Sequence, residues 1–154
     1  MYLDKFSKRF NELMELEGIS IRALSLKIGV DRRSIRLWLT GKFFPRYDAL
    51  IKLRAYFGVR IDYFLGRDDT MTEIVKTKAI EMIDFKIVPI VFSEKFSYIL
   101  RKGNLTRYAV SKALSVDAKA VSKWLTGKSI PETINLIKLA NLTDVTVDDL
   151  LGQE

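Results

Sequence analysis

The 154-residue chain is 48% hydrophobic, carries a formal charge of +7 and contains neither cysteine nor histidine. This composition suits a packed core rather than disorder, and it excludes disulfides, Cys/His zinc sites, thiol nucleophiles and imidazole general-base catalysis. No acidic run has calcium-loop spacing, the start MYLDKFSKRF is not a signal peptide, and the apolar stretch Ile87 to Phe92 is too short to span a bilayer, so a soluble cytoplasmic protein without metal or membrane attachment is expected.

Every long segment has helical rather than strand periodicity. Phe6, Phe10, Leu13 and Met14 recur at spacings of four and three, which predicts a first helix with one apolar face, stopped by Gly18. Ser20 is a good N-cap for a second helix, which buries Leu24 and Ile28 and ends at Gly29. After Val30, Asp31 caps a third helix that runs to about Thr40, with Gly41 as its stop. Two helices joined by a short glycine-containing turn form a helix-turn-helix. A fourth helix is expected from Tyr47 to Phe57 and a short fifth around Asp62 to Leu65, each closed by a glycine.

Residues 67–91 begin with Arg67-Asp68-Asp69-Thr70 and contain neither glycine nor serine, so they are no flexible linker. Thr72 can cap a helix from Glu73 to about Phe85, with Ile74, Ile80 and Ile83 toward one face. Such a connector reaches roughly 55 Å, more than the ~34 Å between successive major grooves.

Beyond it the chain repeats itself. At an offset of 86 residues, Trp38-Leu39-Thr40-Gly41-Lys42 returns as Trp124-Leu125-Thr126-Gly127-Lys128, and Leu50-Ile51-Lys52-Leu53 as Leu136-Ile137-Lys138-Leu139. Two copies of about 60 residues, separated by unmatched sequence, indicate a duplicated small domain rather than a solenoid. The organisation read from the sequence is a first helical domain over 1–66, a part-helical connector over 67–91 and a second helical domain over 92–154.

The stretch from Ile19 to Pro45 resembles the Cro- and lambda-repressor-type (XRE) helix-turn-helix family. Leu24, Gly29, Val30, Ile35, Trp38, Gly41, Lys42 and Pro45 carry the likeness, and Val110, Val116, Val121, Trp124, Gly127, Lys128 and Pro131 repeat it. The endings GVRIDYFLG and VTVDDLLG are similar to the family's closing helix. The resemblance implies an all-α chain of two tandem five-helix lambda-repressor-like domains. It also implies a sequence-specific double-stranded DNA-binding regulator, a phage- or mobile-element-type repressor that occupies a promoter. The family often has an acidic residue after the tryptophan, paired with a basic one on the first helix. Leu39 and Met14 stand there in one copy, Leu125 and Leu100 in the other, an apolar replacement that need not cost stability.

Charge agrees with a polyanionic partner: residues 1–66 hold 13 Lys/Arg against 7 Asp/Glu, while residues 92–154 hold 9 against 7. At 100° per residue the third helix turns Ile35, Trp38 and Leu39 toward the core, and Arg32, Arg33, Arg36, Leu37 and Thr40 outward. Guanidinium groups read guanine through O6 and N7. The resemblance assigns Arg32, Arg33 and Leu37 to bases and Arg36 to phosphate, with Lys42 and Arg46 along the backbone. The second copy offers Lys119 and Lys123 to bases, and Arg107, Ser122 and Lys128 to the backbone. Arg107 stands where the family often anchors a phosphate through Gln, whereas its counterpart Ile21 cannot make that contact.

Trp38 and Trp124 belong to the core on this reading. The aromatic excess of the first copy suggests some exposed apolar surface, expected at Tyr63 and Phe64. No phosphate-binding glycine loop, paired nucleophile and base, or convergent acid pair is present, so neither an enzyme nor a cofactor is expected. The lysine-only second copy leaves two readings open: DNA contact, or a surface for homodimerisation or a protein partner. An antirepressor or antitoxin-like interaction module is the alternative function.

Overall fold

The computed structural model describes residues 1–77 and 79–154 and divides the chain into two compact units, Met1–Ile83 and Asp84–Glu154. Each unit contains five α-helices among the described residues. The first has α1 (Tyr2–Glu17), α2 (Ile21–Ile28), α3 (Arg32–Leu39), α4 (Tyr47–Phe57) and α5 (Ile61–Phe64). The second has α6 (Val88–Lys102), α7 (Arg107–Leu114), α8 (Ala118–Leu125), α9 (Thr133–Thr143) and α10 (Val147–Leu150). Both ends of α2 to α5 recur 86 residues later in α7 to α10, so the sequence repeat is a structural repeat.

Local chemistry sets these boundaries. Ser20 Oγ accepts from the Ala23 N–H, and Thr106 Oγ1 accepts from the Ala109 N–H, one residue-for-residue cap in two copies. Asp31 and Asp117 cap α3 and α8. The apolar stripe of α1, Phe6, Phe10, Leu13 and Met14, is buried as its spacing predicts, and Phe92, Phe96 and Leu100 repeat it on α6.

The two cores differ in what fills them. In the first unit Phe6, Phe10, Trp38, Phe57 and Phe64 form a chain of ring contacts with centroids 5.6–6.3 Å apart. Thr143 and Leu150 take the places of Phe57 and Phe64 in the second unit, which keeps Phe92, Phe96 and Trp124 in contact. Of the aromatic excess of the first unit, Phe57 and Phe64 are therefore core, while Phe44, Tyr47, Tyr56 and Tyr63 are half-buried. Phe64, expected at the surface, is fully buried at the end of α5. Tyr63 is half-buried beneath the Arg9 guanidinium, 4.4 Å from the ring centroid. Among these aromatics the exposed one is Phe43, in the loop after α3, and Leu16, Leu26 and Val75 are exposed elsewhere on the unit.

The helix expected from Glu73 to Phe85 does not form; Lys78, within that range, lies outside the described residues. An extended strap crosses the first unit there, with Glu73 bridged antiparallel to Val59. The Ile74 N–H donates to the Gly58 carbonyl at 2.8 Å and the Thr77 N–H to the Ala55 carbonyl at 2.9 Å. Between the strap and α6 the only helical turn among the described residues is a 3₁₀ turn at Ile80–Met82. The physical reason is competition. An isolated helix of that length is marginal, Thr72, Ile74, Val75 and Thr77 are β-branched, and the end of α4 offers carbonyls that lack helical partners. Arg9 pins the start of the strap by donating to the carbonyls of Tyr63 and Asp68, and Lys76 pins its end on Glu17 at 3.0 Å.

Candidate nucleic-acid interface

The α2–turn–α3 unit is built to hold one face of α3 in solvent. Ile35 and Trp38 anchor the opposite face, Trp38 lying 6.1 Å from the Phe10 ring centroid. Leu39, expected in the core, is only half-buried; its carbonyl accepts from Ser7 Oγ at 2.7 Å and Asn11 Nδ2 at 2.9 Å. Those bonds tie the end of α3 to α1 where the family often has an ion pair. Asp31 fixes the other end: its carboxylate accepts from the Ser34 hydroxyl at 2.6 Å and the Ser34 N–H at 3.3 Å. These two bonds, the hydroxyl first, hold the Asp31 carboxyl below the ordinary carboxylate range, and nearby Arg33 contributes less.

The outward arc carries Arg32, Arg33, Arg36 and Thr40, all exposed, with Leu37 half-buried between them. Lys42 and Arg46 are exposed on the following loop. Among the described residues none of these five cations pairs with a carboxylate, whereas Arg9, Arg67, Lys76 and Lys95 all do. Free guanidinium groups concentrated on one helix face keep their donors available to an incoming acceptor. Arg22 at the start of α2 and Phe43 after Lys42 are exposed beside this set and were not singled out by sequence reasoning.

The second unit arranges its cations differently. Arg107, Lys119, Ser122 and Lys123 line a single cleft between α7 and α8 together with Tyr108. Arg107 donates to Ser122 Oγ at 3.2 Å, so the guanidinium leans across onto α8. Lys119, Lys123 and Lys128 are exposed and make no ion pair among the described residues. Tyr108, 67% exposed and capped by the Lys112 ammonium 5.5 Å from its ring centroid, is a further cleft residue that periodicity alone does not mark. Trp124 is buried on the far side of α8 beside Val121. Among the described residues no helix is long and apolar enough to cross a membrane.

Comparison with known proteins follows the same division. A family model described as helix-turn-helix matches residues 11–64 and again residues 97–150. The chain is 35% identical over 63 residues to the HTH-type transcriptional activator BcrR of Enterococcus faecalis, a match that covers 41% of this chain and 31% of that protein. The chain thus spans less than a third of the length of this curated relative. No solved structure matches the chain significantly.

Proposed function

We propose, for a chain that belongs to the helix-turn-helix family and carries its domain twice, the function of a sequence-specific double-stranded DNA-binding transcriptional regulator. The observation that carries this reading is the arc of three exposed arginines on α3, unpaired among the described residues and held by a helix whose other face is locked into the core. In the major groove Arg32 and Arg33 read guanines, Leu37 meets a thymine methyl, and Arg36, Lys42 and Arg46 take phosphates. On the second unit Lys119 and Lys123 face base edges, while Arg107, Ser122 and Lys128 hold the backbone. The protein acts as a repressor of phage or mobile-element type, by occupying a promoter in the cytoplasm and with no chemistry of its own. That last step rests on resemblance to the lambda-repressor-type family.

Selection of the purified chain on random duplexes of about 40 base pairs tests the reading, since half-sites one turn apart span about 10 base pairs centre to centre. Two unlike half-sites would engage both recognition helices, because α3 and α8 present different side chains. A single half-site would confine readout to α3. Absence of enrichment would overturn the regulator reading in favour of a protein-interaction module of antirepressor or antitoxin-like type.

A further inference from the structure

The second unit bears an open groove of about 830 Å³ between α6 and the α9–α10 turn, which shares no residue with the cationic cleft of α7 and α8. Its rim is a stripe along α6, Glu94, Tyr98 and Lys102, at intervals of four residues on one helix face. Tyr98 is 56% exposed and Leu142, across the groove, 41% exposed; Leu105 and Val145 are half-buried at its floor. Glu94 makes no ion pair among the described residues, and the Lys102 ammonium rests only over its own neighbour Tyr98, 5.9 Å from the ring centroid.

The order acid, aromatic, base is self-complementary. Glu94 and Lys102 stand about 6 Å along the helix on either side of Tyr98. Turning a second α6 antiparallel about a two-fold axis at Tyr98 therefore sets Glu94 of each copy against Lys102 of the other, with the two tyrosines in contact at the centre. We infer that this face is an isologous dimer interface and that its occupant is a second copy of the chain.

The repeat explains why such an assembly closes at two. The aligned positions on α1 are Lys8, Glu12 and Leu16, whose order is not self-complementary. The strap also narrows the aligned groove of the first unit, where Met71, Glu73 and Ile74 share a small pocket with Leu13, Leu16 and Val59, while the aligned stripe itself stays exposed. One chain therefore offers one such face, and a two-fold contact satisfies it. Because the face stands apart from the α7–α8 cleft, pairing leaves those cations free.

Sedimentation of the full chain without DNA, up to about 100 μM, tests the inference and is independent of the regulator reading. Wild type is expected to show a monomer–dimer equilibrium. Glu94→Lys and Lys102→Glu each place like charges together and are expected to raise the dimer Kd at least ~10-fold. An equimolar mixture of the two variants restores opposite charges and is expected to recover the dimer, as is the double variant. Both positions are exposed, and circular dichroism verifies folding; if one single variant unfolds, the other carries the test. A monomer throughout the range, open-ended growth, or a dimer that charge reversal leaves intact would overturn the inference.

Discussion

The Arg107 guanidinium donates to the Ser122 hydroxyl at 3.2 Å, joining the first turn of α7 to the middle of α8. The aligned pair in the first unit is Ile21 and Arg36, so the side chains have exchanged roles: α3 carries the arginine in one unit, and α7 supplies it to α8 in the other. Each unit thereby carries one arginine at this aligned pair of positions, with no identity at either.

This exchange makes the second unit's contribution measurable. Arg107→Ala is expected to weaken DNA binding uniformly across sequences and to lower the slope of log affinity against log salt by about 0.9, the loss of one phosphate contact. The double exchange Arg107→Ile with Ser122→Arg, which installs the first unit's arrangement, should regain most of the slope. Fluorescence anisotropy across a salt series reads both, and an unchanged slope in Arg107→Ala would remove the second unit from the backbone.

On the proposed reading, the first unit separates base reading from backbone binding. Arg33, exposed near the start of α3, is expected to relax specificity at one base pair on Arg33→Ala, with a loss of about 1–3 kcal/mol on the cognate sequence alone. Lys42, on the loop after α3, should on Lys42→Ala weaken all sequences alike and flatten the salt slope by about one unit. Competition binding with single-base operator variants distinguishes them. A change of preferred base from Lys42→Ala would contradict this division.

The α3 cap gives the first unit a pH signature. The Ser34 hydroxyl and N–H depress the Asp31 carboxyl, so its stabilisation is complete above the ordinary carboxylate value of 3.8 and is lost as pH falls through the lower folded-state value. Asp31→Asn keeps a capping residue but loses the charge. Melting curves of wild type and variant should coincide at the acid end, below the folded-state value, and separate above pH 4 with wild type higher. A gap independent of pH would show that the charge plays no part.

Much of this architecture is legible in the residues because it rests on short-range signals. The 86-residue offset, the Ser20 and Asp31 caps and the 100° sorting of Arg32, Arg33 and Arg36 from Ile35 and Trp38 depend only on neighbours within a turn or on identity between copies. What stayed hidden is tertiary. Phe64 reads as surplus because Leu150 replaces it, yet the first core takes the larger ring. Ile74, Ile80 and Ile83 suggest a helix face, but carbonyls about 20 residues earlier at the end of α4 capture the strap. The link from Arg107 to Ser122 spans 15 residues and two helices, so no local pattern announces it.

The strap depends on a position where a side chain has no room. A Cβ on Gly58 would stand 2.8 Å from Lys76 Cγ and 2.9 Å from the Ile74 carbonyl oxygen, and the residue lies at φ +68. Lysine can swing aside, but the carbonyl belongs to the backbone that bridges Val59. Asp144 fills the aligned place in the second unit at φ 55, a left-handed backbone without a strap against it. Gly58→Ala is therefore expected to lift the strap, break the bond from the Ile74 N–H and cost roughly 1–3 kcal/mol for the left-handed backbone alone. Hydrogen exchange at the Ile74 and Thr77 amides should accelerate far more than at the α1 core amides, and proteases should gain access to residues 67–77. Unchanged protection of those two amides would mean that the strap is held by its ends, Arg9 and Lys76, rather than by its close approach to Gly58.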